Sequence, residues 1–146
     1  MPVMSRVDFA FGAPNRLRTA CEVVRKHYSA GRRVLVYTQD RQRLERFDHL
    51  LWGFDPTAFV PHVMTDDPLA AQTPVQLTAA PPVASPTADG QQPWLLNLDL
   101  SCPPGYEHFD RILEIVSDHE DDKLAARERW QQYKVAGHAL HAHKLG

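Results

Sequence analysis

Residues 7–11 alternate apolar and polar positions over a length suited to a strand, and Gly12, Ala13 and Pro14 break the pattern. Over 15–29 the apolar residues Leu17, Ala20, Cys21, Val24 and Tyr28 recur at helical spacing, with Asn15 placed as the N-cap and Gly31 as the stop. Residues 33–37, Arg-Val-Leu-Val-Tyr, form a continuous β-branched run of the kind found in strands buried on both faces. A second helical pattern covers 40–51, with Leu44, Phe47, Leu50 and Leu51 on one side. Strand, helix, strand, helix with short connections predicts a parallel sheet covered by helices.

Two more short strands are predicted at 59–63 and 74–77, with Pro61 placing the first at an edge or a strand end. Residues 79–93 are rich in Pro, Ala, Ser and Gly, which predicts a loop too short to separate two domains. Residues 94–100, Trp-Leu-Leu-Asn-Leu-Asp-Leu, read as a central strand. Two helices are expected after it. The first spans 106–116 with Phe109, Ile112, Leu113 and Val116 facing in, and the second spans 123–137 and closes on Gly137. The fold expected is one α/β domain over 1–146: an open, mostly parallel sheet with helices on both faces, resembling a nucleotide-binding fold.

The last helix, KLAARERWQQYKVAG, carries the most unusual pattern. At ~100° per residue, Lys123, Arg127, Trp130 and Lys134 fall within an arc of roughly 60°. A core-facing stripe would hold aliphatic residues there, whereas this one sets three cations around one indole. That combination suits an acidic, partly apolar partner, because Lys and Arg capture carboxylates and Trp supplies a flat apolar contact. It equally fits a solvated helix face whose Trp tucks partly into the core. A second constellation, Trp52, Phe54, Phe59, Val60 and Pro61, lies in a turn-rich stretch after the second helix. These residues either close over the core or form an apolar patch that a partner buries.

Composition narrows the choices. The chain has 146 residues, 43% hydrophobic and 23% charged, with a formal net charge of −2. That balance argues against broad, sequence-independent nucleic-acid binding and makes any basic site local. No apolar run approaches the ~20 residues of a membrane span, and the first residues lack the h-region of a secretory signal. Cys21 and Cys102 are isolated and read as reduced, packed thiols. The first strand-to-helix turn, FGAPNR, has a single Gly, so neither GxGxxG nor GxxxxGK[ST] is present to cradle a phosphate. There is also no GxSxG elbow. His138, His141 and His143 have no accompanying acids or thiols and are expected to be solvated rather than metal-bound. The acidic run from Asp118 to Asp122 reads as a helix N-terminal turn. No catalytic site and no cofactor are indicated.

Taken in order and spacing, RRVLVYTQD, FDHLLW, FVPH and ARERWQQYKVAG resemble the chi subunit of the bacterial DNA polymerase III holoenzyme, an accessory protein of the clamp loader complex. The resemblance covers most of the chain and is weakest over 64–93. It implies a cytoplasmic, non-catalytic subunit of a DNA-directed DNA polymerase that takes part in DNA replication and meets DNA only indirectly. Such subunits bridge the small psi subunit, which links to the clamp loader, and the C-terminal tail of single-stranded-DNA-binding protein. That tail is acidic and ends in an aromatic-proline-aromatic sequence. By resemblance, Lys123, Arg127 and Trp130 match tail-binding positions, with Trp130 where the family often has Tyr. Gln131 stands where a Lys is often found, and Lys134 on the same stripe is expected to offset that loss. Trp52 and Phe59 match psi-binding positions, with Val60 and Pro61 beside them. Two other readings stay open: a small nucleotide-dependent enzyme on the same sheet, and direct binding of single-stranded DNA by the basic helix and its Trp.

Overall fold

The apolar runs collect into one sheet. The structure, a computed structural model, describes residues 5–53, 59–84 and 92–145. In chain order the elements are β1 (Arg6–Ala13), α1 (Arg16–Ser29), β2 (Val34–Tyr37), α2 (Arg41–Gly53), β3 (His62–Met64), β4 (Val75–Thr78), β5 (Trp94–Asn97), β6 (Arg111–Ser117), α3 (Glu120–Val135) and β7 (Ala139–Lys144). Short 3-10 turns occupy Ala70–Gln72 and Tyr106–His108. The strands lie in the order β3-β4-β2-β5-β6-β1-β7. Every pairing among the described residues is parallel. The open α/β sheet is as expected, and parallel throughout.

Helices cover both faces. On one, Ala20, Cys21 and Val24 of α1 and Leu44, Phe47 and Leu51 of α2 pack on Val34, Val36, Leu113 and Ile115. On the other, Ala126 and Tyr133 of α3 pack on Val7, Phe9, Ile112 and Val116. Helix ends follow their sequence signals. The Asn15 side chain accepts the Arg18 N–H at 3.1 Å. At the end of α3, Gly137 takes φ 87° while its N–H reaches Lys134 O and the His138 N–H reaches Tyr133 O, satisfying carbonyls of the last turn.

The sequence pattern misled in five places. The helix expected over 106–116 is a 3-10 turn followed by β6. Phe109, Ile112, Leu113 and Val116 do recur at helical intervals, but Ile112 and Val116 face α3 while Leu113 and Ile115 face α1 and α2. A strand buried on both faces has no polar side to betray its period. β1 runs on through Gly12 to Ala13, with its register to β6 shifting between Phe11 and Ala13. Gly12 takes φ 85° at that irregularity, which a bulky residue would resist. The strand expected over 59–63 is confined to His62–Met64, and the strand over 94–100 ends at Asn97. Finally, the residues after Gly137 form β7, an edge strand beside β1. The tail histidines are therefore placed rather than simply solvated. His138 Nδ1 accepts the Ser5 N–H at 3.0 Å, and His143 Nε2 lies 2.9 Å from an Asp8 carboxylate oxygen, while His141 is an exposed position of β7.

His27 packs edge-on against Trp94 at the open end of α1. Burial, reinforced by the positive charges of Arg111, Lys26 and Arg32, lowers its pKa from the usual 6.5. Between the lowered value and 6.5 the unfolded chain therefore binds more protons than the folded one, and stability rises with pH across that window. Stability should fall as pH drops below 6.5, and His27→Gln should flatten that part of the profile. Urea midpoints measured across the window check this; an unchanged slope in the variant would remove His27 as a contributor.

Candidate peptide groove and aromatic patch

α3 turns Ala126, Arg129 and Tyr133 inward, so the predicted cationic stripe lies along the flank of the buried face. That flank borders a groove of about 390 Å³ between the first half of α3 and the carboxyl ends of β1 and β7. Phe9, Val116 and Ala126 are buried and form its base. Phe11, Lys123, Arg127, Trp130 and Lys144 stand around it. The Trp130 ring meets Phe9 edge-on at 5.1 Å, which fixes a half-buried indole in the wall. Phe11, 40% exposed, pairs in register with Lys144 across β1 and β7. Lys123 is 3.6 Å from Glu120 one turn earlier. Arg127 and Lys144 are exposed and form no ion pair among the described residues. The groove thus offers aromatic walls and three cations, two of them in no ion pair among the described residues, against one acidic residue of the lining, Asp118.

The structure brings together Lys123, Arg127 and Trp130. Gln131 and Lys134 are exposed positions further along α3 and do not line the groove. Lys144 supplies the third cation instead. Sequence reasoning missed it because residues 139–144 were not recognised as a strand.

Behind the groove, α3 is held by a buried polar network centred on Glu114. Its carboxylate accepts from Arg129 Nε at 3.1 Å, from Tyr133 Oη at 2.8 Å and from Asn97 Nδ2 at 2.9 Å. Arg129 Nη1 also donates to Leu100 O at 3.0 Å. Burial, then the Glu114 charge, pushes the Tyr133 phenol well above its usual 10. Arg129 reads in the sequence as one more surface cation of the helix, yet it is 1% exposed.

The second constellation sits where α2 ends beside β3. The Trp52 and Phe59 rings lie 5.3 Å apart and are 52% and 68% exposed. Trp52 also packs at 4.3 Å on His62, whose Nδ1 is 2.8 Å from Val60 O. The His62 Nε2 is 2.9 Å from an Asp48 carboxylate oxygen. Pro61 is partly buried, and Val60, 2% exposed, belongs to the core. Val60 therefore supports the patch from beneath and presents no side chain to a partner. Phe54 lies outside the described residues. Trp52 and Phe59 form an apolar surface pair, as partner-binding residues would.

At the carboxyl ends of the central strands, where such sheets commonly seat ligands, a cavity of about 460 Å³ is lined by Arg16, Arg43, Arg46, Ser117 and Asp122. Arg16 donates there to the carbonyls of Asn97, Leu98, Asp99 and Ile115. Among the described residues, no group of three or more His, Cys, Asp or Glu is placed to hold a metal ion. No described helix is long and apolar enough to cross a membrane. Both cysteines are free, and burial raises the Cys21 and Cys102 thiols to about 12 and about 11.

Comparison with known proteins gives this arrangement its context. The profile of the DNA polymerase III chi subunit, HolC, matches residues 4–141. The chain belongs to the DNA polymerase III chi subunit family. It is 30% identical to the DNA polymerase III subunit chi of Pseudomonas aeruginosa over 97% of this chain and 98% of that one. It is 28% identical to the subunit chi of Escherichia coli over 82% and 79%, and 26% identical to that of Haemophilus influenzae over 87% and 85%. Chi membership spans both constellations: the matched residues run from β1 through the aromatic pair and α3 into β7.

Proposed function

We propose that this chi-family chain is a non-catalytic accessory subunit of the replicative DNA polymerase III, bridging the clamp loader's psi subunit to the acidic C-terminal tail of single-stranded-DNA-binding protein. The observation that carries the reading is the convergence of Lys123, Arg127 and Trp130, joined by Lys144, around one aromatic groove. A chain ending in acidic residues and an aromatic carboxyl terminus needs cations for its carboxylates and an apolar wall for its ring. The exposed Trp52–Phe59 pair is the surface for psi. The two sites lie at opposite edges of the sheet, beside β3 and β7. Six strand spacings of ~4.8 Å put them roughly 29 Å apart, far enough for both partners to bind at once.

A three-component binding experiment tests this. With psi immobilised, the wild-type chain should retain a labelled acidic tail peptide. Phe59→Ala should abolish capture by psi while binding of the peptide to the free variant is unchanged. A variant that still bridges would remove the aromatic pair from the psi surface, and loss of both interactions would mean that the chain had unfolded.

A further inference from the structure

On the sheet face opposite the groove, at the end of α1, a row of two arginines and a tryptophan occupies the amino-terminal ends of three neighbouring strands, with Arg32 beside them. Arg6 of β1 is in register with Arg111 of β6, and Trp94 starts β5 alongside. Arg111 and Arg32 place their guanidinium carbons 4.0 and 4.3 Å from the Trp94 ring centre. Asp8 is the carboxylate that ties the row together, at 2.8 Å from Arg111 Nε and 3.1 Å from Arg6 Nη2. Its side chain is only 7% exposed, so it faces the arginines rather than solvent, and His143 shares it. Lys26 and Arg32 are exposed at the same end, and both, with Arg111, act on His27 as nearby positive charges. Asp110, next to Arg111 in sequence, is an exposed carboxylate at the margin. The described side chains of the row carry Arg6, Arg32, Arg111 and Lys26 against Asp8 and the marginal Asp110, a local excess of positive charge on a chain whose formal net charge is −2.

We infer that this row is a contact surface for the phosphate backbone of single-stranded DNA. Two features favour a phosphate backbone over an acidic peptide. Peptide sites need a buried apolar anchor, whereas backbone contacts rest on charge alone. Here the indole is already engaged by two guanidinium groups and an imidazole, and no exposed large apolar side chain lies in the row. The groove on the other face, with Phe11 and Trp130, shows the contrasting design. Arg6 and Arg111 sit in register on adjacent strands about 4.8 Å apart, and Arg32, just before β2, joins them over the Trp94 ring, so the cations form a line such as a chain of repeating anions can follow. Stacking on Trp94 and pairing with Asp8 hold their planes in place, and a fixed guanidinium fork suits a phosphate. The surface adds a weak, direct contact with DNA to the indirect one through the tail.

Fluorescence anisotropy with labelled oligothymidylate at low salt is the test. With three arginines neutralising three phosphates, log K should fall with log salt at a slope of about −2. Arg6→Gln with Arg32→Gln removes two exposed cations, and should weaken binding at least about tenfold and reduce the slope to about −0.7. The thermal midpoint of that variant, unchanged from wild type, shows that the fold is retained. Arg41→Gln with Arg46→Gln makes the same change in net charge elsewhere, on α2, and should leave binding within about twofold. No binding at low salt, an Arg6/Arg32 variant that binds like wild type, or an equal loss in the Arg41/Arg46 control overturns the inference. So does polyglutamate displacing the oligonucleotide at matched charge, since that would make the row a site for acidic protein.

Discussion

Arg129→Met should destabilise the chain by about 3–5 kcal/mol, the range found when one partner of a buried ion pair is removed. Arg129 and Glu114 are 1% and 0% exposed at the side chain, and their contact at 3.1 Å is the only charge partner drawn from α3. The next cation, Arg16, is 3.9 Å away and is engaged with four strand-end carbonyls. Methionine fills most of the space but leaves the buried Glu114 charge with only the more distant Arg16 as its cation. Leu100 O would lose its donor as well. Adding Glu114→Gln to Arg129→Met should recover part of the loss, because Tyr133 and Asn97 can still donate to the amide oxygen. Urea unfolding with an unchanged m value measures both variants. A single-variant loss below about 1 kcal/mol would mean that the guanidinium is not what holds the Glu114 charge, since that is the scale of an exposed pair.

The pair is not efficient packing. Arg129 Nη2 has no hydrogen-bond partner among the described residues, and an apolar pair of the same volume could be as stable. What the network supplies is orientation. Glu114 belongs to the central strand β6, and its bonds to Arg129 and Tyr133, four residues apart on α3, fix that helix in rotation. The flank carrying Lys123, Arg127 and Trp130 is thereby aimed at β1 and β7.

Much of this was legible in the sequence. The parallel sheet, both capped helix ends and the three groove residues on α3 follow from period, Gly and Asn positions and motif register. What was hidden has physical causes. β6 has apolar residues on both faces and one buried Glu, so its spacing mimics a helix. β7, reading Ala-Leu-His-Ala-His-Lys, is an edge strand with His141, His143 and Lys144 among its exposed positions, polar residues that help an edge resist pairing with other chains. Losing β7 concealed Lys144 and shifted attention to Lys134, which shares the helical stripe but lies beyond the groove. Arg129 was hidden because nothing local marks a buried Arg; its partner is 15 residues away in sequence, on another element.

Arg127→Ala should weaken binding of an acidic tail peptide by about tenfold to a hundredfold, the ~1.5–3 kcal/mol of hydrogen bonds to a charged group. Arg127 is the cation most free to act, since Lys123 is partly satisfied by Glu120. Trp130→Ala should match that loss by removing the apolar wall braced on Phe9. Lys144→Ala, at the exposed end of β7, should cost less, about 0.2–1 kcal/mol, and the deficit should vanish at high salt. Lys134→Ala should bind like wild type, because Lys134 does not line the groove. These four variants separate the groove from a general preference for positive charge. A diffuse basic surface would respond equally to every lost cation and little to the lost indole. Peptide titrations at two salt concentrations decide between them. An Arg127→Ala variant that binds normally, or a Lys134→Ala variant weaker than Lys144→Ala, would move the site off this groove. Fixed by Glu114 and Arg129 on one side and by the edge strand on the other, the groove's binding energy should reside in the α3 flank and the end of β7 together.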